Sequence, residues 1–224
     1  MAYDIILADI DNTLLDFTAG SHAGIKDVLA HLGIPFTQER LERYLTINHG
    51  LWEAFERGEI EKSQIYPTRF ARFLEYLGVS EDPMTINTFY MDRVRAHIFY
   101  MPHCMEFLEA VHGKYKLYAV TNGETKTQEV RLANSGIGKY FDGVFISEQM
   151  GSKKPEPAYF DQVFAAIGPV DKRHCILLGD SLTSDMQGGR NAGVATCLLG
   201  QDTGDDRCDY VISDLMELLP ILEQ

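Results

Sequence analysis

The chain has 224 residues and a formal net charge of −13, from 33 acidic against 20 basic residues. Its hydrophobic fraction of 45% and charged fraction of 24% are those of a folded globular protein, with room for one medium domain plus an insert. Such an acid excess excludes the basic patches that hold nucleic-acid polymers, and no apolar run is long enough to cross a membrane. Cys104, Cys175, Cys197 and Cys208 lack the close spacing of a zinc site and read as reduced thiols, so the expected compartment is the cytoplasm.

Short apolar runs alternate with helical patterns at both ends of the chain. Strands are predicted over 3–9, 116–121, 143–147, 174–179, 195–199 and 210–212. Several are apolar throughout, as expected of parallel strands covered on both faces. Helices are predicted over 106–111, 126–135, 158–167 and 185–192. This rhythm implies an α/β fold, a doubly wound, Rossmann-like parallel sheet, whose ligands sit beyond the carboxyl ends of the strands. The interval 17–100 breaks the rhythm. It holds no convincing strand and reads as four or five helices: 23–32, 38–57, one over 68–77 starting after Pro67, and a last one over about 84–99. The expectation is a core made of 1–16 and 101–224, with 17–100 inserted as a helical cap and hinges near 16–20 and 100–102.

Four polar clusters follow core strands. Asp9-Ile10-Asp11-Asn12-Thr13 ends the first one. Residues two apart in a strand face the same way, so both carboxylates share a pocket if the backbone stays extended through Asp11. An Asx-rich turn is the plainer alternative. Thr121-Asn122-Gly123 offers a hydroxyl, an amide and backbone N–H groups as an anion seat, or simply caps a helix. Lys153-Lys154-Pro155 either aims Lys154 inward or carries a solvated cation. Asp180 ends another buried strand and Asp185 opens the next helix, where it serves the site or only as an N-cap. Gly188 and Gly189 allow a close helix–sheet approach. Unit charges ~4 Å apart interact by about 4 kcal/mol at an effective dielectric near 20. Several carboxylates that close need a counter-charge, and Mg²⁺ with its oxygen ligands suits both them and a phosphoryl group.

In this order, Asp9 to Thr13, Thr121 to Gly123, Lys154-Pro155 and Gly179 to Asp185 resemble the four motifs of the haloacid dehalogenase superfamily. The segments 48–60 and 121–132 further resemble its pyrimidine 5′-nucleotidase branch, the YjjG-like enzymes. The resemblance implies a Mg²⁺-dependent phosphomonoester hydrolase working through an aspartyl-phosphate, most readily on pyrimidine nucleoside 5′-monophosphates. It implies Asp9 as nucleophile and Asp11 as the acid and base. Metal ligands would be Asp9, Asp180, Asp185 and the Asp11 carbonyl, while Thr121, the Asn122 backbone and Lys154 hold the phosphate oxygens. Dehalogenating relatives typically lack an acid at the position of Asp11, so phosphate chemistry is expected here. A sugar-phosphate phosphatase or phosphomutase is the alternative. A receiver-like binding protein fits poorly, because receivers lack both the large insert and the acid two residues after the nucleophile. The cap is expected to choose the substrate, with Asn48, Trp52 and Arg57 as candidate contacts, Phe17, Phe55 and Tyr66 as further aromatic faces, and Glu124 disfavouring di- and triphosphates.

Overall fold

The first strand shows why the sheet lies where it does. In the computed structural model, which describes residues 3–224, β1 (Ile5–Ala8) is buried along its whole length. Successive side chains point to opposite faces. Ile6 and Ala8 join one apolar cluster, and Ile5 and Leu7 join another. A strand apolar on both faces must lie inside a sheet with helices on each side, which is the position of β1 here.

The chain divides into two compact units, the described residues through Asp16 with Ile98–Gln224, and Phe17–His97. Four helices make up the second: α1 (Phe17–His31), α2 (Gln38–Glu56), α3 (Lys62–Leu77) and α4 (Pro83–Ala96). The first unit continues with α5 (Cys104–Val111), β2 (Lys116–Thr121), α6 (Thr125–Ser135), β3 (Gly143–Ile146), α7 (Ser147–Met150) and α8 (Pro157–Ile167). It ends with β4 (Cys175–Gly179), α9 (Gln187–Ala192), β5 (Ala195–Leu199), β6 (Tyr210–Ile212) and α10 (Leu218–Leu222).

All pairings in the six-stranded sheet are parallel, in the order β3-β2-β1-β4-β5-β6. Strand order reverses about β1, which places a ligand crevice at the carboxyl ends of β2, β1 and β4. Phe107 and Leu108 of α5 and Leu132 of α6 cover one face together with Leu218 and Leu222 of α10. Tyr159, Phe160 and Val163 of α8 cover the other. At Gly188 and Gly189, α9 comes so close that added Cβ atoms would meet the Phe160 ring and the Thr196 methyl group. Where the chain leaves and re-enters this unit, the two crossings pair with each other. The Asp16 N–H donates to Phe99 O and the Met101 N–H to Leu14 O.

Four predicted elements need correction. The first helix begins at Phe17 rather than at 23, and the last helix of the insert ends at Ala96 rather than near 99. The third helix does not begin after Pro67 but at Lys62, with Pro67 inside it. A capping box of Glu61 and Gln64 starts the helix early, and burial of Ile65, Phe70, Phe73 and Leu74 carries it through the proline. The helix predicted over 185–192 is preceded by one turn of π-helix, Leu182–Met186, and α9 starts only at Gln187.

The helical unit hides a cation. Arg69 is 1% exposed and has no carboxylate partner among the described residues. It donates to Asn87 Oδ1 through Nε (2.9 Å) and Nη2 (2.6 Å) and to Asn48 Oδ1 through Nη1 (3.2 Å), tying α2, α3 and α4 together. Its guanidinium carbon lies 4.9 Å from the Tyr90 ring centroid. Cation–π attraction offsets part of the desolvation cost. The four cysteines are free, and among the described residues no helix is long and apolar enough to cross a membrane. Replacing Arg69 by Met should leave the two amide oxygens unpaired and cost about 2–6 kcal/mol, at 1–3 kcal/mol for each of the two orphaned groups. Denaturant melts of Arg69→Met against the parent protein would measure that loss.

Candidate active site

Three of the four clusters sit where a strand runs out. Asp9 directly follows β1, and its N–H still donates to Leu178 O (2.9 Å) in sheet fashion. Thr121 closes β2, Asp180 follows β4, and Lys154 lies on the segment between α7 and α8. The sheet thus gathers at one edge what the sequence scatters over 176 positions, from Asp9 to Asp185.

Lys154 is the centre of the arrangement. It is 1% exposed, and its ammonium donates to Asp9 Oδ1 (2.6 Å), Asp185 Oδ1 (2.6 Å) and Val120 O (2.9 Å). An ammonium has three donors, and here each has an acceptor, which is what burial of the charge demands. Its backbone is pinned as well: the Asn122 amide donates to Lys154 O and accepts from the Lys154 N–H, both at 2.9 Å. The Asn122 side chain is therefore spent on the lysine loop and takes no part in an anion seat, whose groups reduce to the Thr121 hydroxyl and backbone N–H groups. Asp185 is more than an N-cap. The π-helical turn carries its carboxylate inward to Lys154 and to the Ser181 N–H (3.2 Å), while Ser181 does the capping of Ser184. A Cβ on Gly179 would fall 2.3 Å from that carboxylate, so the strand must end on glycine for Asp185 to enter.

One lysine does not balance the acids around it. Burial holds the Asp9 carboxyl well above the usual carboxylate range against the pull of Lys154, and Asp185, Asp180 and Asp11 add repulsion. Burial and the Asp185 charge push Asp180 up to about 7. Burial alone would lower Lys154, but Asp185 and Asp9 outweigh it and hold the lysine above its ordinary value.

Asp9 and Asp11 do not share a partner. The paired strand ends at Ala8, and Asn12 turns the chain with a left-handed φ of 59°. Asp11 is instead paired with Arg131 and hydrogen-bonded by Gln128 (2.6 Å), two residues of α6 whose contact with the site the sequence reading did not bring out. Their spacing of three on one helix face, directly after Thr121-Asn122-Gly123, was the available signal.

Four carboxylates, Asp9, Asp11, Asp180 and Asp185, thus face two cations, Lys154 and Arg131. The deficit is two positive charges. Asp9, Asp180 and Asp185 each place a carboxylate oxygen within 4.8 Å of the other two. An all-oxygen donor set of that size with a double negative excess fits Mg²⁺ or a similar hard divalent ion.

The candidates in the helical unit are differently engaged. Asn48 accepts from Arg69, and exposed Arg57 forms ion pairs with Glu59 and Glu53. Trp52 packs edge-on against Phe55, with the Lys62 ammonium 5.9 Å from its ring centroid.

The sequence pattern of the haloacid dehalogenase-like hydrolases matches residues 6–199. The chain belongs to that family. It is a hydrolase, and its α/β core with a helical insertion is the family fold. The chain is 34% identical to the HAD-hydrolase YfnB of Bacillus subtilis, over 98% of this chain and 95% of that one. The crystal structure of YfnB bound to magnesium superposes with a TM-score of 0.94, over 99% of each chain. The pyrimidine 5′-nucleotidase PynA of Streptococcus pneumoniae is 35% identical, over 88% of this chain and 83% of its own. YjjG of Escherichia coli, also a pyrimidine 5′-nucleotidase, is 34% identical, over 89% and 87%.

Removing the central lysine should cost more than any single surface change. Lys154→Met leaves Asp9 and Asp185 buried and unpaired, and the expected loss is about 3–5 kcal/mol in denaturant melts with EDTA present. The double variant Lys154→Met/Asp185→Asn should recover part of it, because one orphaned charge is then gone.

Proposed function

We propose that this hydrolase cleaves phosphomonoesters, with pyrimidine nucleoside 5′-monophosphates as the preferred substrates. The observation that carries the reaction type is the double negative excess around Asp9, Asp180 and Asp185, next to a lysine that touches both Asp9 and Asp185. The substrate class rests on the likeness to PynA and YjjG across more than four-fifths of each chain.

In this reading an Asp9 carboxylate oxygen attacks phosphorus, and the bond to the ester oxygen breaks. Asp11 gives a proton to the departing ester oxygen, which leaves as the alcohol. It then takes one from a water molecule whose oxygen attacks the phosphoryl group, and the electrons of the broken P–O bond return to the Asp9 carboxylate. Thr121, the Asn122 N–H and Lys154 hold the phosphoryl oxygens. Asp9, Asp180, Asp185 and the Asp11 carbonyl would hold Mg²⁺, which would supply charge neutralisation for the transferring group. The helical insertion is the part that selects the substrate, with Asn48, Trp52 and Arg57 as candidates for contact with it. The work of such an enzyme belongs in the cytoplasm, where nucleoside monophosphates are found.

A phosphate-release screen tests both levels of the proposal. UMP, dUMP and dTMP should turn over faster than AMP, GMP and sugar phosphates. EDTA should abolish the activity, excess Mg²⁺ should restore it, and Asp9→Asn should reduce it to the assay background. Equal rates on sugar phosphates would remove the nucleotidase assignment alone. No release from any ester would remove the hydrolase mechanism.

A further inference from the structure

Gln128 and Arg131 are both buried, 0% and 1% exposed, although neither faces an apolar task. Arg131 Nη1 donates to Asp11 Oδ1, and Gln128 Nε2 donates to Asp11 Oδ2 at 2.6 Å. Each carboxylate oxygen thus has its own donor, and the pair fixes both the position and the tilt of the group. Gln128 Nε2 also donates to Thr121 Oγ1 at 2.9 Å, so one amide ties Asp11 to the end of β2.

Two further features show that the local structure is built around this contact. A Cβ on Gly123 would fall 2.1 Å from Gln128 Nε2, so the turn into α6 leaves room for the amide only with glycine there. Turning the amide over would set Oε1 against the carboxylate, so the orientation is not free. In the orientation adopted, Oε1 is buried with no hydrogen-bond partner. A buried acceptor without a donor is an expense that a purely structural glutamine would avoid. The Asp11 side chain itself is 26% exposed and stands on the short turn with Asn12 in the left-handed region. Nothing in such a turn selects one carboxylate rotamer. Two donors on a rigid helix face do.

We infer that Gln128 and Arg131 are positioning residues, which hold the Asp11 carboxylate where it takes the proton from the water that cleaves the aspartyl-phosphate. This rests on the reading of Asp11 as acid and base given above. Proton transfer needs heavy atoms within about 2.6–3.2 Å, and a displacement of 1 Å at such a group costs roughly 10²-fold. In that step the water O–H bond breaks as the proton moves to Asp11, the water oxygen bonds to phosphorus, and the bond from phosphorus to Asp9 opens.

The leaving group separates this step from the first. p-Nitrophenolate departs without a proton, so misplacing Asp11 spares formation of the phosphoenzyme and slows its breakdown. With p-nitrophenyl phosphate and saturating Mg²⁺, Gln128→Leu and Arg131→Leu should each release about one equivalent of p-nitrophenol in a burst. A steady rate about 10–100-fold below the parent enzyme should follow, with acid-stable phosphoenzyme accumulating, KM falling along with kcat, and kcat/KM for the ester within about threefold of the parent. Arg131→Lys, which keeps the charge, should lie between Arg131→Leu and the parent. Gly123→Ala, which displaces the Gln128 amide, should repeat the burst without replacing either donor residue and serves if Arg131→Leu fails to fold. Asp11→Asn is the control. If it shows no burst, the acid–base reading of Asp11 falls. If it shows one while the Gln128, Arg131 and Gly123 variants slow both phases equally, only the positioning role falls.

Discussion

An ammonium group inside a protein must find an acceptor for each of its three protons or lose more in hydration than it gains. Lys154 meets that requirement with one acceptor from beyond β1, one from β2 and one from the turn after β4. The lysine belongs to none of those three elements, so its satisfaction fastens separate parts of the chain at one point of the sheet edge. Other local features follow from it. The Asn122 amide braces its backbone, and the turn of π-helix brings Asp185 within reach. Glycine at the end of β4 gives that carboxylate its space.

The same edge divides two neighbouring carboxylates between two cations. Asp9 lies against a buried ammonium at 9% side-chain exposure, and Asp11 lies against a buried guanidinium while keeping 26%. Pairs of titratable groups held in unlike surroundings are how one site assigns unlike tasks to chemically identical side chains. Here the divergence starts in the backbone, because the strand closes at Ala8 and Asn12 turns the chain.

Much of this was legible in the residues alone. The strands are apolar on both faces, and only a doubly covered parallel sheet tolerates that, so their positions and the carboxyl-end edge could be read directly. The six predicted strands lie within two residues of the observed ones, and β2, β5 and β6 coincide with them. Features that depend on partners far along the chain were not legible. Pro67 is tolerated inside α3 because the aromatic residues after it are buried, which no local signal reports. Asn122 resembled a ligand-facing amide until its bonds to Lys154, 32 positions away, were seen. Arg131 falls within the helix predicted over 126–135, and only the fold reveals that it faces an acid 120 residues earlier.

The buried guanidinium of the helical unit constrains how that unit can change over generations. Arg69, Asn48 and Asn87 satisfy one another with neutral acceptors and no acid. Losing the arginine strands two amides, and losing Asn87 leaves the arginine only the Asn48 oxygen and the Met91 sulfur as acceptors. Substitutions at these sites therefore pass through a poorly folded intermediate unless they occur together. Sequence drift in the insertion should treat the three positions, spread over three helices, as a single inherited block.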